Sequence, residues 1–357
     1  MSKIKVGIVG VGNCASALVQ GVYFYRDVEK QEEIPGVMHV RFGKYHIGDI
    51  EFTSAFEVNA LKIGKDLSEA IFTDPNSCAR FCDIPELGVT VEPGPVLDGV
   101  ASHMVERFHV APDHKPVDVA QVLRDTGTEI LVNFLPVGSV EATRFYAKAA
   151  LEAGCGFVNC IPEFIASTEE WSKKFQERGL PVAGDDVKSQ LGATILHRAL
   201  VELFHERGLH LDSTYQLNVG GNTDFENMLE EDRLSSKRVS KTEAVTSLVP
   251  YKVPTRIGPS DYVPFLGDHK VCYIRVNGHG FGDLPVEVDL KLKVNDSPNS
   301  AGIVIDVIRG VKIALERGIG GALPSISAYA FKHPPVQVED YIARGWVEEF
   351  IEGKRVR

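Results

Sequence analysis

The chain is poor in the features that mark several broad protein classes. No apolar run reaches the length needed to span a bilayer, and the first residues read as the charged start of a strand, not a signal peptide. Its six cysteines, at 14, 78, 82, 155, 160 and 272, show no CxxC spacing. That argues against a zinc knot or a disulfide framework and for free thiols in a reducing compartment. Internal repeats and low-complexity tracts are missing too. Positive charge is outweighed, with 38 Lys and Arg against 49 Asp and Glu and a formal net charge of -11. Nonspecific nucleic-acid binding is therefore disfavoured. The expectation is a cytoplasmic protein with neither membrane nor nucleic-acid partners.

What is present begins with a strand and a glycine pair. Ile4-Lys5-Val6-Gly7-Ile8-Val9 is a short β-branched run that reads as a buried strand, and it leads into Gly10-Val11-Gly12-Asn13-Cys14-Ala15. An amphipathic helix with Ala17, Leu18 and Val19 follows. This order places backbone N–H groups and a helix N-terminus where a pyrophosphate can sit. GxGxxA alone is common; the strand before it and the helix after it make this copy more specific, and a dinucleotide site is expected. The second strand of such a fold should end in an acid for the adenosine ribose. Ile50–Glu57 supplies one, with Glu57 at its end, 47 residues after Gly10 instead of about 20. Val22–Asp49, with its charged Asp27–Glu33 run, therefore reads as an insertion. A carboxylate at 57 opposes a 2′-phosphate and favours NAD over NADP.

The 357 residues are too many for one ordinary core, so two domains are expected. Further βα units follow at Ile130–Phe134, Phe157–Cys160 and Leu180–Ala183. Their C-terminal ends should gather Asn133, Ser139, Asn159 and Asp186 along one crevice. From about Thr194 the pattern changes to alternating strands at Thr214–Val219, Lys270–Val276 and Val286–Val294, as in an antiparallel sheet with one wet face. Ser300–Arg317 reads as a long helix closed by Gly318. The fold class expected is α/β: a Rossmann-type, doubly wound parallel sheet over 1–195 and 300–357. A second α+β domain, 196–299, is inserted before the C-terminal helices and is expected to carry catalysis and oligomerisation.

Several polar stretches are too rich in Gly, Asn, Asp and Lys for plain core. Lys237 and Lys241 are four apart, so on a helix they share a face and repel. Close like charges depress amine pKa values and attract phosphate. On spacing alone, however, a KxxxK pair reads as a solvated helix face. The order of the stretches is more specific than any one of them: GVGNCAS at 10–16, LPVGS at 135–139, GDDVKSQLGAT at 184–194, LNVGGNTDFENML at 217–229, SKRVSKTEAV at 236–245, DSPNSAG at 296–302 and SAYAFKHPP at 327–335. In these blocks, from Val6 to about Phe350, the chain resembles the 1L-myo-inositol-1-phosphate synthase (inositol-3-phosphate synthase) family in its short bacterial and archaeal form.

The resemblance implies an isomerase of inositol biosynthesis that keeps NAD bound. Its substrate would be D-glucose 6-phosphate, converted to 1L-myo-inositol 1-phosphate by oxidation at C5, enolisation, aldol closure onto C1 and reduction. Matched position by position, it implies Lys237, Lys270, Lys332, Asp186, Asp224 and Asp296 as catalytic residues. Ser189, Lys241 and Asn222 would hold phosphate, and Gly10, Gly12, Asn13, Cys14, Ala15, Glu57, Pro136, Ser139 and Asp186 the cofactor. A divalent ion could bind Asp296, the carboxylates near Asp186 and substrate phosphate, and a monovalent cation is equally compatible. The family implies a homotetramer built through the β-sheet domain. Two departures stand out: the longer eukaryotic members read Gly-Asn-Asn-Asp-Gly where this chain has Gly221-Asn222-Thr223-Asp224-Phe225, and their N-terminal extension is missing. The segment around Asn222–Lys241 is expected to be a loop, mobile without ligand. Two rivals remain open at this point: an NAD-dependent sugar-phosphate or polyol dehydrogenase, and a non-catalytic dinucleotide sensor.

Overall fold

The computed structural model describes residues 3–29, 34–110 and 114–357. Residues 30–33 of the charged Asp27–Glu33 run lie outside the described residues. The larger sheet is all parallel. In chain order its strands are β1 (Ile4–Val9), then, after a hairpin of β2 (Arg41–Phe42) and β3 (Tyr45–His46), β4 (Ile50–Glu57), β5 (Val91–Pro93), β6 (Ile130–Asn133), β7 (Gly156–Asn159) and β8 (Pro181–Ala183). In space the order is β13-β8-β7-β6-β1-β4-β5, where β13 is Gly321–Ala322 from near the C-terminus. The chain starts in the middle at β1, runs outward to β5, and returns to build the other half from β6. That reversal leaves a crevice beyond the ends of β1 and β6.

Both faces of this sheet are covered, and the strands divide their side chains accordingly. Ile130, Val132, Val158 and Ala183 enter one core, whereas Leu131, Phe157 and Val182 enter the other. This is the period-two alternation of a pleated strand with two apolar neighbours. The first core is closed by α1 (Asn13–Phe24) and a late helix described below. The second is closed by α3 (Val119–Asp125), α4 (Val140–Ala153) and α5 (Glu169–Glu177), which follow the short α2 (Leu67–Ala70). Each fully buried Ile, Val or Leu contributes roughly 1.5–3 kcal/mol. α1 runs to Phe24, so the insertion begins after it.

A second sheet has the order β10-β9-β11-β12, from β9 (His210–Gly220), β10 (Thr255–Tyr262), β11 (His269–His279) and β12 (Pro285–Asn295). It is mixed, where the alternation suggested a purely antiparallel sheet: β10 pairs parallel to β9, and only β9, β11 and β12 are antiparallel. A parallel neighbour cannot be reached by a hairpin and needs a crossover of a dozen residues or more. The crossover here contains α7 (Thr223–Asn227) and α8 (Ser235–Thr246). Together with α6 (Ala193–Glu206), α8 covers the apolar face that carries Cys272, Ile274 and Val276.

β12 passes into α9 (Asp296–Glu316) without a loop. The polar run Asp296–Ser300 has the composition of a loop but forms the first turn of this helix, with Asn295 as its cap. Pro298 is tolerated there because the N–H it lacks would have had no intrahelical partner. α9 ends at Glu316, with Gly318 left-handed (φ 64) just beyond. Nearly all of α9 is buried against α1 and the parallel sheet, and its polar side chains are paired: Arg309 with Asp306, and Lys312 with Glu129. Two last helices, α10 (Pro324–Ala330) and α11 (Asp340–Ile351), complete the chain. Among the described residues no helix is long and apolar enough to cross a membrane.

Gly302 in α9 marks a close approach: a Cβ there would lie 1.8 Å from the Gly36 carbonyl oxygen of the insertion. Gly302→Ala should therefore destabilise the fold by about 1–3 kcal/mol through overpacking. The check is a urea midpoint that falls at unchanged slope; a midpoint equal to that of wild type would show that the insertion moves aside freely.

Candidate active site

One cavity at the crevice joins the glycine turn to the second sheet. Gly10, Gly12, Asn13, Cys14, Glu57 and Pro136 line one part of it, and Asp186, Ser189, Asn222, Asp224, Lys237, Lys241, Lys270, Asp296 and Lys332 the other. Gly10 has φ 83 and sits where a Cβ would be 2.9 Å from the Phe134 carbonyl oxygen, so its identity is dictated by backbone crowding. Gly12 is different. Its φ of −105 suits any residue, and a Cβ there would meet no atom within 4 Å. It precedes α1 without a side-chain cap, so the first N–H groups of the helix face open space. Glu57 accepts from the backbone N–H groups of Val11 at 2.7 Å and Val58 at 2.8 Å. Each carboxylate oxygen keeps a further lone pair. Burial pushes the Cys14 thiol up to about 12, helped by Asp268, Asp296 and Asp224.

Ala15 and Ser139 lie off the cavity lining. Ala15 packs into the core beneath α1, and the fully buried Ser139 hydroxyl donates to the Pro136 carbonyl. Asn133 and Asn159, expected along the crevice, are also fully buried. Asn133 donates to Asn159 at 2.9 Å and to Thr143 at 3.2 Å, and Asn159 donates to Asp185 at 2.8 Å. Amides at neighbouring strand ends satisfy one another here, while Cys160, Ile161 and Pro162 face the cavity instead.

The lysines arrive from three directions. Lys237 and Lys241 share one face of α8, so the segment expected as a loop over 222–241 is largely helical. Lys270 stands near the start of β11, and Lys332 follows α10. Three have carboxylate partners: Lys237 with Asp224 at 2.7 Å, Lys270 with Asp296 at 3.0 Å and Lys332 with Asp186 at 2.7 Å. Lys241 has no hydrogen-bond or ion-pair partner among the described residues. Burial, then Lys237, Lys270 and Lys332, hold its pKa well below that of a free lysine. Burial also lowers Lys332, more than Asp186 restores; burial lowers Lys270 as well, but the attraction and hydrogen bond of Asp296 together with the charge of Asp224 outweigh it and leave the pKa raised. Burial opposes ionisation of Asp186 and Asp296, yet Lys332 and Lys270 respectively keep both below the usual carboxylate range.

Two short segments are stitched together to make the Lys332 pair. Val187 and Phe331 form an antiparallel bridge, flanked by Lys188 N–H to Ala330 O at 2.8 Å and Lys332 N–H to Asp186 O at 2.7 Å. Asp186 is left-handed (φ 62), a conformation this stitching imposes. Ser240 of α8 donates to the second Asp186 carboxylate oxygen. The lysine within GDDVKSQ, Lys188, does not face the cavity. It is buried against Asp340 and the Ala328 carbonyl, both at 2.8 Å, and burial pushes it down to about 8. Asn222 lines the cavity but is largely engaged, capping α7 through its oxygen and donating to Asp268 at 3.0 Å. One amide hydrogen is left for a ligand.

A family model described as Myo-inositol-1-phosphate synthase matches residues 192–297, the stretch that carries Lys237, Lys241, Lys270, Asp224 and Asp296. An inositol-3-phosphate synthase of Mycolicibacterium smegmatis is 52% identical over 358 residues, covering 98% of this chain and 98% of its own. The chain belongs to the inositol-3-phosphate synthase family. It is an enzyme, with a Corynebacterium glutamicum relative of the same name also 52% identical over 98% of both chains. A myo-inositol-1-phosphate synthase-related protein from Thermotoga maritima superposes with a TM-score of 0.79 at 26% identity, covering 98% of each chain.

In the loop where this chain departs from the eukaryotic pattern, Phe225 occupies the last position. It is buried with Met228 and Leu234, and its ring centre is 6.0 Å from the Lys270 nitrogen. Sequence reasoning missed the apolar wall formed by Val96, Leu97, Met104 and Phe108, which has no motif, and the buried acid Asp268 within Gly267–Lys270. Asp268 accepts from Asn222 and from both the hydroxyl and backbone N–H of Ser297. Among the described residues no three His, Cys, Asp or Glu side chains are grouped to hold a metal, and the three site carboxylates each face a lysine.

Lys241→Met should raise the thermal midpoint at pH 7, because it removes an unpaired charge that burial and three lysines disfavour. A lysine held below its unfolded pKa of 10.5 destabilises fully below its folded pKa, and the penalty vanishes as pH approaches 10.5. The gain over wild type, a few degrees (roughly 2–4 °C per kcal/mol) at pH 7, should therefore shrink on the alkaline side. Equal midpoints at both pH values would mean that the charge is already offset.

Proposed function

We propose that this chain converts D-glucose 6-phosphate to 1L-myo-inositol 1-phosphate, the first step of inositol biosynthesis, with NAD held throughout the cycle. One observation carries the reading: a single cavity unites an uncapped glycine turn with four lysines, three of them paired to carboxylates and one not. The residues present suit NAD. The open space at Gly12 and the free N–H groups of α1 would take its pyrophosphate, and Glu57 its ribose. When bound, NAD supplies the two-electron chemistry, oxidation of a secondary hydroxyl at the start and the matching reduction at the end.

The chain's own groups supply proton transfer and charge stabilisation. Lys237, oriented by Asp224, takes the proton of the C5 hydroxyl as that carbon becomes a ketone. The proton lost from C6 to give the enolate passes on to the C1 oxygen as the enolate carbon attacks the aldehyde and closes the ring. Lys270 and Lys332 face the oxygens on which charge develops, and the carboxylates of Asp296 and Asp186 hold them in place. Lys241 is the cation free for the substrate phosphate, with Ser189 and Asn222 beside it. Lys237 returns its proton as the last ketone is reduced, so the net reaction is an isomerisation. Removing one such donor commonly costs ~10²–10³ in rate. The outward face of the second sheet, where Tyr215, Leu217 and Tyr273 remain exposed, suits the expected homotetramer.

The test is incubation of the purified protein with D-glucose 6-phosphate and substoichiometric NAD. Inositol phosphate should exceed the NAD supplied without accumulation of NADH, whereas one NADH per substrate and no cyclised product would mean a dehydrogenase. NAD binding with neither product would mean a sensor. Lys237→Ala and Lys332→Ala should each lower turnover by ~10²–10³ with NAD affinity retained. Conversely, Gly12→Val should melt like wild type and lose NAD, since its side chain projects only into the space kept for the cofactor.

A further inference from the structure

A cycle that oxidises first and reduces last fails whenever the reduced dinucleotide leaves in between. Something must therefore keep it in place over the interval in which the lysines act. The cavity is roofed on its dinucleotide side by an apolar wall that includes Val96, Leu97, Met104 and Phe108. Met104 is buried, but Val96 and Leu97 are 48% and 40% exposed, so that end of the wall is weakly anchored by its own packing. It is tied to the start of α4, where the Asp98 carboxylate accepts from the Glu141 and Ala142 N–H groups at 2.7 Å and 2.9 Å, and to the crossover segment that carries the lysines. Arg233 donates to the carbonyls of Asp98 at 2.9 Å, Gly99 at 3.4 Å and Val137 at 3.0 Å. Asn227 donates to the same Val137 oxygen at 2.9 Å. Glu230 accepts from the Ser102 N–H at 3.3 Å, and Arg107 pairs with Glu226.

The fit around Arg233 is close. A Cβ on Gly138 would lie 2.7 Å from the Arg233 Cβ, so the glycine of LPVGS admits this side chain. Arg233 is in the turn immediately before α8, four residues ahead of Lys237. Its guanidinium spans both the wall and the turn after β6, a reach that a lysine's single ammonium cannot match.

We propose that Arg233 is a retention latch, which fastens the wall over the dinucleotide to the helix that delivers Lys237 and Lys241. The dinucleotide then cannot leave while the lysines are docked. The proposal rests on the reading that this cavity holds NAD. Arg233 acts through the backbone it holds and touches none of the reacting atoms.

The experiment compares wild type with Arg233→Ala and Arg233→Lys. Two quantities are read: the rate at which bound NAD is displaced by a fluorescent NAD analogue, and the free NADH released per inositol phosphate formed. Loss of the latch should speed displacement about ten-fold, the equivalent of one or two net hydrogen bonds, and raise NADH release in proportion. A protein that is merely weakened would make less product without releasing more NADH. Arg233→Lys keeps the charge and most of the stem, so it answers the question even if the alanine variant folds poorly. Wild-type displacement and NADH release in the lysine variant would overturn the latch. Failure of wild type itself to retain NAD on desalting would overturn the underlying reading and the latch with it.

Discussion

Four ammonium groups converge on one largely buried cavity, and the surrounding architecture is arranged around their mutual repulsion. At an effective dielectric of about 20, two unit charges 4 Å apart repel by ~4 kcal/mol. Three carboxylates offset most of this, and each comes from a different element: Asp224 from α7, Asp186 from the segment after β8 and Asp296 from the start of α9. None of the pairs is local in sequence, so the charge balance exists only when the parallel sheet, the crossover and α9 are all in place. The fourth charge, on Lys241, has no such partner among the described residues, as its proposed role in holding phosphate requires. The cavity thus holds an electrostatic imbalance within a packed frame.

The frame is rigid because backbone hydrogen bonds, more than side chains, set the positions of the charged groups. The bridge between Val187 and Phe331 fixes Asp186 and Lys332 with four main-chain bonds across residues 185–188 and 330–333. Behind it, Asp340 at the start of α11 pairs with both Lys188 and Arg198, at 2.8 Å and 2.6 Å. The C-terminal helix thereby contributes to the site without reaching it. Breaking such a buried pair costs far more than its net attraction, because the remaining charge has no water to turn to.

Much of this was legible in the sequence, for identifiable reasons. The glycine turn and Glu57 follow from strict local rules of a βα unit, and the alternating residues of β12 declare one wet face. The four lysines were named through the ordered motifs of the family resemblance, since spacing alone favoured a solvated helix face for Lys237 and Lys241. Other features were hidden by their physics. β10 contains Gly258 and Pro259 and escapes a propensity reading, although its parallel pairing is what demands the crossover carrying the lysines. Asp296–Ser300 has loop composition but helical structure, because Pro and polar residues suit a first turn as well as a loop. Asn133 and Asn159 looked like site residues because polar groups at strand ends often are; here they satisfy each other. The lysine–carboxylate pairs and the wall at 95–108 are tertiary and leave no local trace.

The loopless junction between β12 and α9 also sets where the chain can tolerate changes in length. One residue inserted after Asn295 would turn the following helix by ~100°, carrying Asp296, Ser297 and Ser300 off the cavity together. α9 cannot counter-rotate, because nearly its whole circumference is packed. Related chains should therefore keep the count from Lys270 to Ser300 unchanged. That interval works as a ruler, and the cavity depends on its length as strictly as on its lysines.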